Sequence, residues 1–172
     1  MSAMAAILEL YLIRHAIAAE RGPKYPDDRK RPLTPEGIKR FKESVRGLVE
    51  LGVELDVILS SPLTRAEETA ALLSSGLKKR VPVETIEVLA PGGKFNAIVE
   101  AVTKQAKRHR RIALVGHEPD LGEMTARWLG ARGHVAFRKG AICAIDVDSA
   151  TPSGPATLHW LLPPRVLRRL AP

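Results

Sequence analysis

The chain has 172 residues, 45% of them hydrophobic, enough for one domain with a real core. No segment has the unbroken apolar length of a membrane span, and the opening M-S-A-M-A-A-I lacks the pattern of a signal peptide. A single cysteine, Cys143, excludes an internal disulfide framework. These features predict a cytoplasmic protein.

The formal net charge is +8 with a pI near 10.0, which suits nucleic acid or phosphorylated substrates. Aromatics at 4% argue against a stacking platform for single strands, so nucleic acid is disfavoured. The densest basic runs are Lys78-Lys79-Arg80 and Lys107-Arg108-His109-Arg110-Arg111. Each falls where a helix is expected to end, and cations there complement the helix dipole without a partner.

In chain order, L-E-L-Y-L-I from Leu8 reads as a buried strand that ends on Arg14-His15. Arg21 to Pro32, with three prolines and a glycine, is a loop. Thr34-Pro35-Glu36 opens a helix with Ile38, Phe41, Val45, Leu48 and Val49 at helical spacing, closed by Gly52. Val57-Ile58-Leu59 is a second strand running into Ser60-Ser61-Pro62, where serine and proline suggest another helix start. That helix carries Arg65 in its first turn and Leu63, Ala66, Ala70 and Leu73 on one face.

Val81 to Val88 predicts a third strand, and Phe95, Ile98, Val99 and Val102 mark a helix. Ile112 to Val115 is a fourth strand that stops at Gly116-His117-Glu118, followed by a helix with Leu121, Met124 and Trp128 inward. Ala141 to Val147 and Ala156 to Leu162 predict a hairpin, and Pro163-Pro164 a last basic helix. Alternating strands and helices imply a three-layer α/β/α sandwich: a mainly parallel sheet with an antiparallel C-terminal hairpin. Right-handed crossovers bring the carboxyl ends of the parallel strands to one edge, where ligands bind in such folds.

Arg14, His15, Arg65 and His117 all sit at those strand ends. Guanidinium forks match phosphate oxygens, a neutral imidazole can attack phosphorus, and a second can donate to a nonbridging oxygen. Taken singly, each has a plainer reading. Arg14-His15 suits a solvated loop, Arg65 can pair with Glu68 on its own helix, and His117 can open a helix with its ring satisfied. His109, His134 and His159 read as surface or packing residues, and Cys143 as core. No paired-cysteine metal site, H-E-x-x-H or Gly-rich nucleotide loop occurs.

R-H after an apolar strand, S-P-L-T-R-A-E-E-T and V-G-H-E-P-D-L together resemble the histidine phosphatase superfamily, with its phosphoglycerate-mutase-like fold. R-P-L-T-P-E-G, L-A-P-G-G and L-H-W-L-L-P-P bring the likeness closest to its SixA-type phosphohistidine phosphatases, over about Leu8 to Arg169. The resemblance implies His15 as a transiently phosphorylated nucleophile. Arg14, Arg65 and His117 would hold the phosphoryl group, with no metal and no cofactor.

Ala16 stands where the family usually has glycine, a change that is strained at φ > 0 and nearly silent otherwise; the silent case is expected. Glu87 and Glu118 are the candidates for a general acid, and either can equally be solvated. A phosphohistidine leaves through an imidazole nitrogen and has little need of one. That favours a phosphohistidine-bearing protein, such as a histidine-phosphotransfer or phosphocarrier domain, as partner, and a phosphate or sulfate anion as ligand. The alternatives are a phosphatase of small phosphomonoesters and a non-catalytic phosphate- or nucleic-acid-binding module.

Overall fold

The computed structural model describes residues 6–172. The opening M-S-A-M-A, part of the stretch read for a signal peptide, lies outside them. Six strands form one sheet in the order β3-β2-β4-β1-β5-β6: β1 (Ile7–Arg14), β2 (Val57–Ser60), β3 (Val83–Thr85), β4 (Arg111–Gly116), β5 (Ile142–Asp148) and β6 (Thr157–Leu162). β3, β2, β4 and β1 run parallel, whereas β5 is antiparallel to β1 and β6 to β5. The mainly parallel sheet with an antiparallel hairpin is therefore present as expected.

Alternation along β1 assigns its side chains to two cores. Tyr11 and Ile13 face Phe41, Val45 and Leu48 of α1 (Pro35–Glu50) and Ala66, Ala70 and Leu73 of α2 (Thr64–Gly76). Leu8, Leu10 and Leu12 face Ile98 and Val102 of α3 (Phe95–Ala106) and Leu121, Met124 and Trp128 of α4 (Asp120–Trp128). A short α5 (Pro164–Leu170) joins the first layer through buried Leu167. Burial on both faces is what a parallel sheet requires, and it explains the dense apolar runs of β1, β2 and β4.

Local signals behave as their chemistry dictates, with two corrections. Thr34 caps α1, its hydroxyl accepting from the Gly37 amide at 2.9 Å. The third strand shrinks from Val81–Val88 to Val83–Thr85, all of it exposed at the sheet edge, and Glu87–Leu89 curl into a 3-10 turn. The second helix starts at Thr64 with no side-chain cap, so Ser60-Ser61-Pro62 is not its first turn. Ser61 is drawn instead to the end of β4.

Candidate active site

The ends of β1, β2 and β4 meet at one edge, because Ile13 and Arg14 pair with Val115 and Gly116, and Ser60 with Val115. His15 and His117 thereby come together, with ring centroids 5.1 Å apart and ring planes tilted by 51°. Both are buried, 6% and 4% exposed, and Arg65 is 3% exposed at the start of α2. The solvated-loop reading of Arg14-His15 does not hold at the histidine.

The His15 tautomer follows from its neighbour. Nδ1 lies 2.7 Å from the Ala16 carbonyl, an acceptor only, so Nδ1 carries the proton and Nε2 keeps its lone pair. Burial pushes the ring down to about 3; the Ala16 bond opposes this, while His117, Arg65 and Arg14 add to it. His15 is therefore a neutral imidazole across the physiological range, which is the form that attacks.

His117 is bound on its other side. Nε2 lies 2.7 Å from the Ser61 hydroxyl, and the Leu63 amide donates to the same oxygen at 3.3 Å. With Oγ already accepting, its proton is free to point at Nε2, which leaves the His117 proton on Nδ1. That Nδ1 is buried and has no partner. Burial lowers this ring to about 4, with Arg65 contributing. It is a neutral donor.

The arginines are held by part of their forks. Arg14 Nη1 donates to the Phe137 carbonyl at 2.6 Å. Arg65 Nη1 and Nη2 donate to the Asp28 carbonyl and carboxylate at 2.8 and 3.1 Å. Both Nε atoms are buried without partners. Burial lowers both guanidiniums from their ordinary range, opposed by Glu118 at Arg14 and by Asp28 at Arg65. Burial raises the Asp28 carboxyl, but Arg31 and Arg65 outweigh it and hold it below the usual range. Three buried N–H donors on the residues grouped with the neutral His15 are left unsatisfied, which is expensive, and a phosphoryl group would offer three acceptor oxygens.

Arg65 does not pair with Glu68, whose carboxylate accepts from the Leu33 amide at 2.6 Å. Glu87 is 71% exposed in its side chain and meets Arg29 at 3.2 Å. Glu118 accepts from the Phe137 amide at 2.6 Å, and its other oxygen lies 3.2 Å from His134 Nε2. The Phe137 peptide is thus gripped at both ends, by Glu118 at its N–H and by Arg14 at its carbonyl. Ala16 stands at no positive φ, a conformation that only glycines adopt among the described residues. Its amide donates to Thr69 at 3.0 Å. Cys143 is buried in the sheet, which pushes its thiol up to about 12. His134 and His159 are exposed and pair with Glu118 and Asp146.

Sequence reasoning singled out Arg14, His15, Arg65 and His117, and all four converge. It missed Asp28, Ser61, Thr69 and the Phe137 peptide. Asp28 lay in a loop dense with charge, and Ser61 read as a helix start.

Residues 10–91 match the model of the histidine phosphatase superfamily (branch 1). An uncharacterized protein of Picosynechococcus sp. (strain ATCC 27264 / PCC 7002 / PR-6) is 40% identical over 146 residues, 83% of this chain and 87% of that one. The phosphohistidine phosphatase SixA of Escherichia coli (strain K12) is 26% identical over 160 residues, 91% of this chain and 94% of that one. In three dimensions the chain is similar to the protein histidine phosphatase SixA complexed with tungstate. The TM-score is 0.83 at 23% identity, covering 93% of this chain and 99% of that one. The α/β architecture is the phosphoglycerate-mutase-like one. Among the described residues no helix is long and apolar enough to cross a membrane.

Proposed function

The chain belongs to the histidine phosphatase superfamily, and within it we propose a cytoplasmic phosphohistidine phosphatase acting on a partner protein through a covalent intermediate at His15. The observation that carries this reading is the buried, neutral His15 facing three unpartnered donors: Arg14 Nε, Arg65 Nε and His117 Nδ1. The likeness to SixA supports the choice of substrate.

In the first step His15 Nε2 attacks phosphorus, a new P–N bond forms, and the bond to the substrate imidazole breaks. The Ala16 carbonyl stabilises the growing positive charge through the Nδ1 proton. The three donors bind the phosphoryl oxygens, in place before the reaction and tightening as charge develops. The substrate ring carries a proton on its distal nitrogen before the P–N bond breaks, as a pKa of about 6.5 allows at neutral pH, and so leaves as a neutral imidazole. Water then attacks the phosphorus on His15, releasing inorganic phosphate and restoring the neutral ring.

No acid is assigned to the leaving group. Glu87 is exposed and paired with Arg29; Glu118 holds the Phe137 amide through Oε1, while its buried Oε2 has no hydrogen bond and lies 3.2 Å from His134 Nε2. A P–O substrate would leave as an alkoxide and lose the 10²–10⁴-fold or so that a positioned acid contributes. The partner class is a histidine-phosphotransfer or phosphocarrier domain.

Brief incubation with a phosphohistidine protein labelled at phosphorus tests the reading. Acid-labile label on the wild type and none on His15→Ala, with turnover down by about 10⁴-fold or more, is the expected result. Full turnover by His15→Ala sinks it. A higher kcat/KM for sugar phosphates than for phosphohistidine would instead favour the small phosphomonoester reading.

A further inference from the structure

A groove of about 580 Å³ opens beside the candidate active site, between α1, the turn at 138–140 and α5. Its inner end is Ala16 and Ile17, the two residues after the proposed nucleophile. The turn is bolted to that point: the Gly140 amide donates to the Arg14 and His15 carbonyls at 3.1 and 3.0 Å, at a φ of 81° that favours glycine. Gly37 of α1 closes the other side, where any Cβ would meet the Ile17 carbonyl at 2.2 Å.

The groove is cationic. Arg40, Arg138, Lys139, Arg165, Arg168 and Arg169 line it. Glu36 pairs with Arg40, and Glu43 lies 3.9 Å from Arg168. Arg138, Lys139, Arg165 and Arg169 are exposed, and among the described residues none has a carboxylate within ion-pair distance. The floor is apolar, formed by Pro163, Pro164 and Val166.

We propose that this groove docks an acidic surface of the protein that bears the phosphohistidine, which makes it the determinant of partner choice. The inference rests on the phosphohistidine reading above. None of Arg14, Arg65 or His117 lines the groove, so a substrate anchored at His15 reaches it only by extending past its phosphorylated residue. That requires a macromolecule. Carboxylates complement the four free cations, and the apolar floor accepts the side chains of a folded surface. Single-stranded nucleic acid fits less well, because the one aromatic ring in the groove, Phe41, is 2% exposed and offers no face for a base.

The test is a charge reversal, Arg138→Glu with Lys139→Glu, Arg165→Glu and Arg169→Glu, assayed on two substrates. One is a phosphorylated histidine-phosphotransfer domain with carboxylates flanking its histidine; the other is free phosphohistidine. The expected result is a fall in kcat/KM of about 10-fold or more on the domain, carried by KM, with a weaker salt dependence. Free phosphohistidine is hydrolysed as before, which also shows that the variant folds. A neutral set, the same four positions to Gln, gives a smaller fall in the same direction and stands in if the reversed set does not fold.

A matched reversal at the far edge of the sheet, Lys78→Glu with Lys79→Glu, Arg80→Glu and Arg108→Glu, leaves turnover of both substrates unchanged. Equal kcat/KM for wild type and groove variant on the domain overturns the inference alone. A comparable loss from the far-edge variant overturns it too, since net charge would then explain the effect. Random duplex DNA that binds the groove in a salt-sensitive way, with domain turnover insensitive to the reversal, overturns it in favour of nucleic acid. No turnover of either substrate by the wild type overturns the phosphohistidine reading, and this inference with it.

Discussion

Two arginine sites at opposite edges of one sheet use the same side chain in opposite ways. At the amino edge, Arg111 donates from Nε and Nη2 to one Asp56 oxygen at 3.2 and 2.8 Å and meets Glu54 through Nη1. The other Asp56 oxygen accepts the Arg110 and Arg111 amides, each at 2.9 Å. The bond to Asp56 raises this guanidinium above its ordinary range, against the desolvation of burial. At the carboxyl edge, Arg14 and Arg65 are lowered by burial, and each leaves Nε unpaired. A saturated fork holds the fold together. On the proposed reading, a buried fork with an open donor is a stored binding site, kept at a cost in desolvation until an anion arrives.

The largest way to break that contrast is to delete one arginine of each kind. Arg65→Met is expected to lower kcat on phosphohistidine by about 10²–10³-fold, the usual loss for one transition-state donor. Its stability stays within about 1 kcal/mol, because Asp28 is more than a third exposed and returns to water. Arg111→Met is expected to do the reverse, costing about 1–2 kcal/mol in urea unfolding with unchanged kinetics. If both variants lose activity equally, the distinction between open and saturated forks fails.

The acid side of the stability curve sharpens the comparison next. Burial lowers His15 to about 3 and His117 to about 4, with Arg65 adding to it at both and Arg14 to a lesser extent. The unfolded chain binds protons below about pH 6.5 that these folded rings refuse, so stability declines as pH falls through that window and is level above it. Each histidine contributes a slope approaching about 1.4 kcal/mol per pH unit by pH 5. Removing His15 as His15→Ala should flatten the decline between pH 6.5 and 5, measured by urea unfolding. An undiminished slope would mean that the folded ring titrates normally.

What was legible beforehand divides along the same physical line. Apolar period and turn chemistry exposed the strands and helices, and four polar residues at strand ends stood out against apolar runs. Parallel pairing then had only to align those ends, as Arg14 with Gly116 and Ser60 with Val115 do. The partners of the site are different in kind. Arg14 meets Phe137 across 123 residues, and Ser61 meets His117 across 56. Such bonds have no period and often use backbone groups, which every residue carries. The shortened β3 was hidden for another reason: Val83–Thr85 is exposed at an edge, where a loose apolar alternation overstates the strand.

The Phe137 peptide gives a finer test of how the open fork is aimed. Glu118→Gln keeps an oxygen for the Phe137 amide but removes the negative charge that supports Arg14. A fall of about 3- to 10-fold in kcat is expected, with KM for free phosphohistidine little changed and the shape of the pH profile retained. Loss of a pH limb would instead identify Glu118 as a proton donor to the leaving group.

The smallest effect lies next to the proposed nucleophile. The Ala16 methyl is 3% exposed and packs in the core of α1 and α2, while its carbonyl orients His15 and its amide is tied to Thr69. No positive φ is needed there, so glycine gains nothing from its conformational freedom. Ala16→Gly removes a buried methyl and loosens the unfolded chain, together about 0.5–1.5 kcal/mol of lost stability in urea. Both backbone bonds survive the change, so kcat should stay within about twofold. A gain of tenfold in kcat would mean that the methyl holds the His15–Ala16 bond away from its best geometry. The alanine would then be a brake on the open edge rather than a silent part of it.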